Sequence, residues 1–378
     1  MTALSKTHHH QFLSPIEEVV EDARNGRMFI LVDAEERENE GDLVIPAQMA
    51  TPDSINFMAK HGRGLVCLAL TRERVDELGL HLMPQHHASR HQTAFTVSIE
   101  ARTGVTTGIS APDRARTVAV AIDPTKGKED IVTPGHIFPL LARDGGVLVR
   151  TGHTEAAVDL ARLAGLNPAG VICEIMNEDG TMARMPDLIK FAQFHGLKVG
   201  KIADLIAYRL RNDRIVERRA ETVIKSGYGG EFRMIVYVNK VAYAEHLALV
   251  RGDVSQGPPP LVRMHALDVL HDVLGERSGE RGGEIESAMR MIAAAGRGAL
   301  VLIREPRATS VSDVVAARHG GGAGAPTGLR DYGIGAQILL DLGIRDMILL
   351  SNTKRTIVGL EGHGLTVIEQ RPIPVHGG

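Results

Sequence analysis

Six acidic side chains crowd one short stretch of the chain: Asp33, Glu35, Glu36, Glu38, Glu40 and Asp42, in the run D-A-E-E-R-E-N-E-G-D. Like charges this close raise the local electrostatic energy unless a cation or Arg37 neutralises them. Carboxylate oxygens on a loop suit Mg2+, which takes one or two carboxylates and completes its shell with water and substrate oxygens. The same run also reads as a solvated acidic loop. A second stretch supplies complementary chemistry. Arg150-Thr151-Gly152-His153-Thr154 sets a guanidinium fork, two hydroxyls and an imidazole around a glycine. Those are the groups needed to hold a phosphate and a metal together.

Both stretches need elements to hold them. Met28-Phe29-Ile30-Leu31-Val32 and Leu43-Val44-Ile45 have strand composition, so the acidic run becomes the connection between two strands, with Gly41 allowing a tight turn. Gly145 to Val149 reads as a glycine-led strand running into Arg150. Residues 154–163 read as a helix with Thr154 at or near its N-cap, and a helix N-terminus beside Arg150 is a natural phosphate seat. Ser14-Pro15-Ile16-Glu17 predicts a helix start with Ser14 as N-cap. Further helices are expected from Pro52 and over 71–78, 112–121, 187–196 and 201–211, with strands at Cys67 and over 94–100. Gly104 to Ser110 is a small-residue turn that can approach a ligand closely.

Three single residues carry two readings each. His136 lies between Pro134 and Pro139, which suits an acid–base group held in position and equally a structural histidine. Glu174 stands in an otherwise apolar strand, where a carboxylate needs a partner or a task. Cys67 sits in an apolar run, as a small buried hydrophobe or a positioned thiol; Cys173 reads as the former. Residues 81–93 hold His81, His86, His87 and His91 without a carboxylate, which predicts a mobile loop rather than a second metal site.

The totals narrow the classes. A chain of 378 residues with 43% apolar residues predicts two domains with buried cores. A net charge of −3 argues against a nucleic-acid surface. No apolar run reaches membrane-spanning length and the N-terminus lacks an apolar signal core, so no membrane partner and a cytoplasmic location are expected. Two cysteines exclude a disulfide framework and any zinc site built from three cysteines.

The pair R-E-N-E-G-D and R-T-G-H-T, with G-H-I-F-P-L before the latter, resembles 3,4-dihydroxy-2-butanone 4-phosphate synthase of riboflavin biosynthesis. The resemblance implies an α/β (α+β) sandwich over residues 1–215. It also implies conversion of ribulose 5-phosphate, by enolisation, dehydration, rearrangement and loss of formate, to 3,4-dihydroxy-2-butanone 4-phosphate. It implies that Glu38 and His153 hold the metal, as two Mg2+ (or Mn2+) ions per site. Arg37, Thr107, Arg150 and Thr154 would hold the substrate phosphate, with Gly152 leaving room, and Thr151 would bind substrate beside them. Asp42 would bind a substrate hydroxyl, and His136 and Glu174 would move protons. Asp33, Glu40 and Cys67 would line the pocket. A homodimer with sites near the subunit interface is implied as well.

From residue 216 to 378 the chain resembles GTP cyclohydrolase II in F-R-M-I-V-Y (232–237), in R-D-Y-G-I-G-A-Q-I-L (330–339) and in G-L-E-G-H-G-L (359–365). That family holds zinc with three cysteines just beyond a V-R-x-H segment. Val262-Arg263-Met264-His265 is present here, but Asp268, Gly279 and Arg281 stand at the cysteine positions. Glycine offers no ligand atom and arginine is a fixed cation, so no zinc is expected. Arg304-Glu305-Pro306-Arg307-Ala308 replaces the family's Gln-Glu-Gly-Arg-Gly segment, and Gly328 its catalytic Asp, although Arg330 is kept. The second half therefore reads as a fold without catalysis, serving dimerisation, solubility or contact with another riboflavin-pathway enzyme. Retained GTP hydrolysis is the alternative. Arg209 to Arg219 reads as an exposed linker helix.

Overall fold

A computed structural model describes residues 12–35, 37–84, 93–241, 243–276, 283–304, 311–312, 315, 328–352 and 364–374, the side chains of 328–332 excepted. His8 to His10, Glu36, His86, His87, His91, Gly279, Arg281, residues 305–308, the glycine-rich 320–326 and residues 359–363 lie outside the described set. Contacts divide the chain into two units, Met1–Tyr208 and Arg209–Gly378.

The first unit is built on one mixed seven-stranded sheet. Its strands are β1 (Phe29–Val32), β2 (Gly41–Pro46), β3 (Cys67–Leu70), β4 (Ile99–Ala101), β5 (Ile131–Leu141), β6 (Gly170–Glu174) and β7 (Val199–Lys201), in spatial order β4-β5-β3-β6-β2-β1-β7. The apolar run of β1 has no polar alternation because both of its faces are covered. Ile30 and Val32 join one buried cluster, Phe29 and Leu31 the other. Helices α1 (Ile16–Arg24) and α5 (His153–Leu163) pack together, α5 against β2, β3 and β6. Helices α2 (Pro52–Phe57) and α4 (Ala111–Ile122) pack together, α4 against β4 and β5. Helices α3 (Arg72–Glu77), α6 (Met185–His195) and α7 (Ile202–Asn212) complete the unit's set.

The β1–β2 hairpin carries the acidic run as expected, pairing Leu31 with Asp42 and Val32 with Gly41. Its left-handed residue is not Gly41 but Asn39, at φ 55°. Gly41 lies within β2, where a β-carbon would come 2.5 Å from Leu188 Cδ1. Its missing side chain serves helix packing rather than the turn. Three other expectations shift. Pro15, not Ser14, caps α1, because the Ser14 amide donates to the Val199 carbonyl and is drawn to β7. Gly145 to Val149 is no strand: both glycines have positive φ, and Gly146–Leu148 winds into a 3-10 turn that delivers Arg150 to α5. Of 94–100 only Ile99 and Glu100 enter a strand, β4; Phe95 and Thr96 make isolated bridges.

The second unit holds another seven-stranded sheet, from β8 (Val216–Ser226), β9 (Gly230–Asn239), β10 (Ala244–Arg251), β11 (Leu261–Ala266), β12 (Gly298–Ile303), β13 (Asp346–Leu350) and β14 (Thr366–Arg371), in order β14-β13-β11-β12-β10-β9-β8. The expected linker helix over 209–219 is instead the end of α7 and the first turn-free residues of β8, whose side chains mostly face solvent. Helices α8 (Glu284–Ala295) and α9 (Gly328–Asp341) pack against this sheet, α8 on β11 and β12 around Phe232, Leu261, Ile292 and Leu300.

His246 of β10 is 1% exposed, and its Nδ1 accepts the Arg304 amide at 3.1 Å. Burial, and then the Arg304 charge, pushes its imidazole down to about 4 from 6.5. The unfolded chain takes a proton that the folded chain refuses, so stability is lost as pH falls between those values. Urea unfolding of the intact chain should show a loss on the order of 2 kcal/mol across that window, flattened in His246→Gln.

Candidate active site

The acidic loop is shaped by its own first residue. Asp33 Oδ1 accepts the Glu40 amide at 2.8 Å, and Oδ2 accepts the Glu38 amide at 3.0 Å and an Arg37 N–H at 2.9 Å. Arg37 also pairs with Glu38. Arg184 closes the loop from outside, donating to the backbone carbonyls of Glu38, at 2.8 Å, and Asn39. Six polar contacts thus fix where the Glu38 carboxylate stands.

α5 brings His153 to it. His153 Nδ1 lies 3.9 Å from Glu38 Oε2 and 3.9 Å from Asp42 Oδ1. Its Nε2 is 3.3 Å from the Leu31 carbonyl. A carbonyl only accepts, so that contact places the ring proton on Nε2 and turns the Nδ1 lone pair towards the carboxylates. Imidazole ligands of metals are commonly held this way, by a backbone carbonyl on the far nitrogen. Among the described residues, Asp33, Glu38 and His153 form the group able to converge on a cation, their ligand atoms lying within 4.8 Å of one another. Asp33 joins the pair expected from sequence, although both of its oxygens already serve the loop.

The sheet register adds the next carboxylates. β2 pairs with β6 so that Asp42 faces Glu174. Glu174 Oε2 accepts the Leu65 amide at 2.8 Å, and Gly64 permits this, since a β-carbon there would sit 2.5 Å from the same oxygen. Asp42 is buried, and burial, reinforced by the charges of Glu174, Glu40, Glu38 and Asp33, pushes its carboxyl well above the usual carboxylate range. Glu40 is raised too, by burial and then by Glu38. Burial lowers the His153 imidazole, which keeps the ring neutral and able to donate its lone pair. A donor set of two oxygens and a neutral imidazole, ringed by negative charge that nothing fully offsets, fits a hard divalent cation.

Beside this cluster, Arg150 Nη1 pairs with the buried Glu155 at 2.7 Å and Nη2 reaches Thr93 Oγ1 at 3.3 Å. Gly152 caps α5, and the space left by its missing side chain is filled by Arg150, whose Nη1 would lie 2.2 Å from a β-carbon. Thr154 is buried in the first turn of α5 and Thr151 is half-buried before it. Cys67 is 2% exposed among Phe138, Ile172 and other apolar side chains, and burial followed by the Glu174 charge raises its thiol. It is therefore a protonated core residue beneath the site.

His136 stands apart. β3 pairs Cys67 with Ile172 of β6 and with Phe138 of β5. The strand order β5-β3-β6-β2 puts β5, which carries His136, three strand spacings from β2, which carries Asp42, about 14 Å. Its Nδ1 lies 2.6 Å from Glu100 Oε2, beside the turn that carries the exposed Thr107. Sequence reading missed Glu100, Glu155 and Arg184, because no spacing ties them to the residues they serve.

In the second unit, His265 Nε2 meets Asp272 Oδ2 at 2.9 Å, and Arg263 pairs with Glu284 at 2.6 Å. Asp268, at a position where the resemblance expects a zinc ligand, spends its carboxylate capping the Leu270 and His271 amides. Asp268 thus offers a carboxylate already engaged with two amides where the resemblance expects a thiolate.

Calorimetric titration with Mg2+ should show affinity weakened by roughly 100-fold in Glu38→Gln and in His153→Asn, with the circular dichroism spectrum unchanged. Parent-like affinity in both would remove the cluster as a cation site.

The family model for 3,4-dihydroxy-2-butanone 4-phosphate synthase matches residues 17–208, and that for GTP cyclohydrolase II matches residues 217–372. The chain is 49% identical over 375 residues to the riboflavin biosynthesis protein RibBA of Aquifex aeolicus, covering 95% of this chain and 92% of that protein. It is 46% identical over 372 residues to RibBA of Bacillus cereus, covering 95% and 93%. Among solved structures it resembles RibBX, a two-domain 3,4-dihydroxy-2-butanone 4-phosphate synthase from A. baumannii, at 45% identity and a TM-score of 0.75, covering 92% of this chain and 96% of that one. A 3,4-dihydroxy-2-butanone 4-phosphate synthase in complex with two magnesium ions aligns at 40% identity and a TM-score of 0.51, covering 53% and 99%. The chain belongs to the 3,4-dihydroxy-2-butanone 4-phosphate synthases of riboflavin biosynthesis, in the form that carries a second, GTP cyclohydrolase II-like domain.

Proposed function

We propose that residues 1–215 carry out the synthase reaction through Glu38, His153, Asp42, Glu174 and His136, and that residues 216–378 no longer hydrolyse GTP. The observation that carries the first part is the convergence of Glu38 and His153, from a hairpin and a helix 115 positions apart, on one point beside Asp42 and Glu174. Glu38 and His153 would hold the divalent metal, Mg2+ or Mn2+, as two ions per site, a reading supported by the relative solved in complex with two magnesium ions. When bound, the metal polarises the sugar's carbonyl and hydroxyl oxygens. Arg37, Arg150, Thr151, Thr154 and Thr107 hold the phosphate, with the amides at the start of α5 facing it. Asp42 binds a substrate hydroxyl. Glu174, anchored through the Leu65 amide, and His136 take and return protons during enolisation and dehydration. The setting is the cytoplasm.

The three strand spacings between β2, which carries Asp42, and β5, which carries His136, exceed what one five-carbon substrate bridges comfortably. This favours a homodimer in which His136 and Thr107 of one protomer face the Glu38 cluster of its partner. Mixing inactive Glu38→Ala with inactive His136→Ala protomers should then restore about a quarter of parental activity, since half of the dimers carry one intact site. Recovery of no activity after subunit exchange would place each site within one chain.

For the second domain, the carrying observation is the identity of its residues: no cysteine lies beyond Cys173. Without a zinc-activated water, attack on the purine fails. Purified protein offered ribulose 5-phosphate and GTP in separate tubes, with Mg2+ and with or without Zn2+, should release formate from the sugar alone. Formate from GTP would establish a bifunctional enzyme. Formate from neither would favour a non-catalytic scaffold.

A further inference from the structure

β4 and β5 do not pair evenly. Ile99 faces Ile137 while Glu100 faces Val132, so the residues between Val132 and Ile137, His136 among them, bulge out of the ladder. A bulge of this kind re-aims a side chain. Here it turns His136 Nδ1 to within 2.6 Å of Glu100 Oε2.

Much of the surroundings serves this one contact. Glu100 is buried, its side chain 10% exposed, while that of His136 is 42% exposed. The other carboxylate oxygen, Oε1, accepts the Thr117 hydroxyl at 2.8 Å, and the Thr117 oxygen in turn accepts the Ala101 amide at 3.1 Å. Glu100 is thus held from α4 and from its own strand. Two glycines make the room. A β-carbon on Gly108 would lie 1.9 Å from Glu100 Oε2 and 2.6 Å from His136 Nδ1. One on Gly135 would lie 2.1 Å from the Ile99 carbonyl, closing the approach of β5 to β4.

We propose that Glu100 is the positioning residue of His136, fixing the ring proton on Nδ1 so that Nε2 of this part-exposed ring presents a lone pair to substrate. The proposal rests on the reading of His136 as an acid–base group. An ionised carboxylate accepts and cannot donate, so the short contact to Glu100 requires the proton on Nδ1. The remaining nitrogen is then a base of fixed orientation, and the same carboxylate stabilises the imidazolium formed when Nε2 takes a proton. Without Glu100 the ring is free to rotate and to place its proton on either nitrogen.

Glu100→Gln keeps shape but offers an amide that can donate to Nδ1 and so favours the opposite tautomer. Steady-state kinetics with ribulose 5-phosphate should show kcat reduced by roughly 100-fold and KM within about threefold of the parent. Mg2+ affinity and the thermal midpoint should be unchanged. Thr117→Val, which loosens Glu100 without removing it, should lower kcat less and in the same sense. In the parent, 15N chemical shifts of the neutral His136 ring should show the proton on Nδ1, and in Glu100→Gln on Nε2. Parental kcat in Glu100→Gln while His136→Gln is inactive would overturn the proposal and leave the catalytic reading of His136 standing. Parental kcat in His136→Gln would instead overturn that reading and the proposal with it. Equal losses in kcat, Mg2+ affinity and thermal midpoint would mark Glu100 as structural only, and a parent ring protonated on Nε2 would overturn the proposal whatever the variants do.

Discussion

Negative charge gathered at one end of a buried sheet is the constraint on which the first unit depends. Asp33, Glu38, Glu40, Asp42 and Glu174 meet there, and two arginines, Arg37 and Arg184, face them directly. Asp42 records the imbalance most clearly: it is fully enclosed and its carboxyl is pushed far upward by burial and by four neighbouring carboxylates. A cluster that cost this much without return would be lost readily, because a carboxylate buried beside others destabilises the fold. A divalent cation bound there would attract each of those carboxylates and so offset their mutual repulsion. Stability and function therefore pull apart at this place, and the loop is held in a strained electrostatic state by ordinary hydrogen bonds.

Those hydrogen bonds come mainly from Asp33, which spends its whole carboxylate on the loop it begins. The rest is positional accuracy supplied by the sheet. Pairing fixes Asp42 opposite Glu174, and a slip of one residue would turn both to the other face. α5 then brings His153 in through its first turn, with the ring anchored on a β1 carbonyl rather than on a side chain. Each of the four groups at the cluster thus rests on backbone: Glu38 through its amide on Asp33, Asp42 and Glu174 through the ladder, and His153 through Leu31.

This division explains what was legible in the sequence. Local composition revealed the β1–β2 hairpin, the acidic loop, α5 and the outlying carboxylate Glu174, because each is written in adjacent residues. The pairing of Glu38 with His153 entered through a family resemblance, since no periodicity links positions 38 and 153. Partners set by tertiary packing were invisible: Glu100 looks like any strand-edge acid, Arg184 like any surface base, and Glu155 like a first-turn helix residue. Glycines carry less than their local context suggests. Gly41 predicts a tight turn, yet its space is filled by Leu188, and Gly145 predicts a strand, yet it opens a 3-10 turn. A missing side chain states that something comes close without saying what.

The second unit shows the same demand that buried polar groups find partners. Its buried imidazole, His265, needs one, because an orphaned polar group there costs about 1–3 kcal/mol. Asp272 meets it at 2.9 Å and also accepts the Asp268 amide at 2.7 Å, tying the turn after β11 back onto the strand. Glu284, at the first turn of α8, answers the neighbouring Arg263, and Asn352 adds a contact of 3.3 Å to the same carboxylate. The His265–Asp272 contact and its imidazole hold Asp272 below the usual range despite its burial. An ion-pair network of this kind ties sheet and helix together. These contacts add polar anchoring to the apolar core around Phe232, Leu261, Ile292 and Leu300.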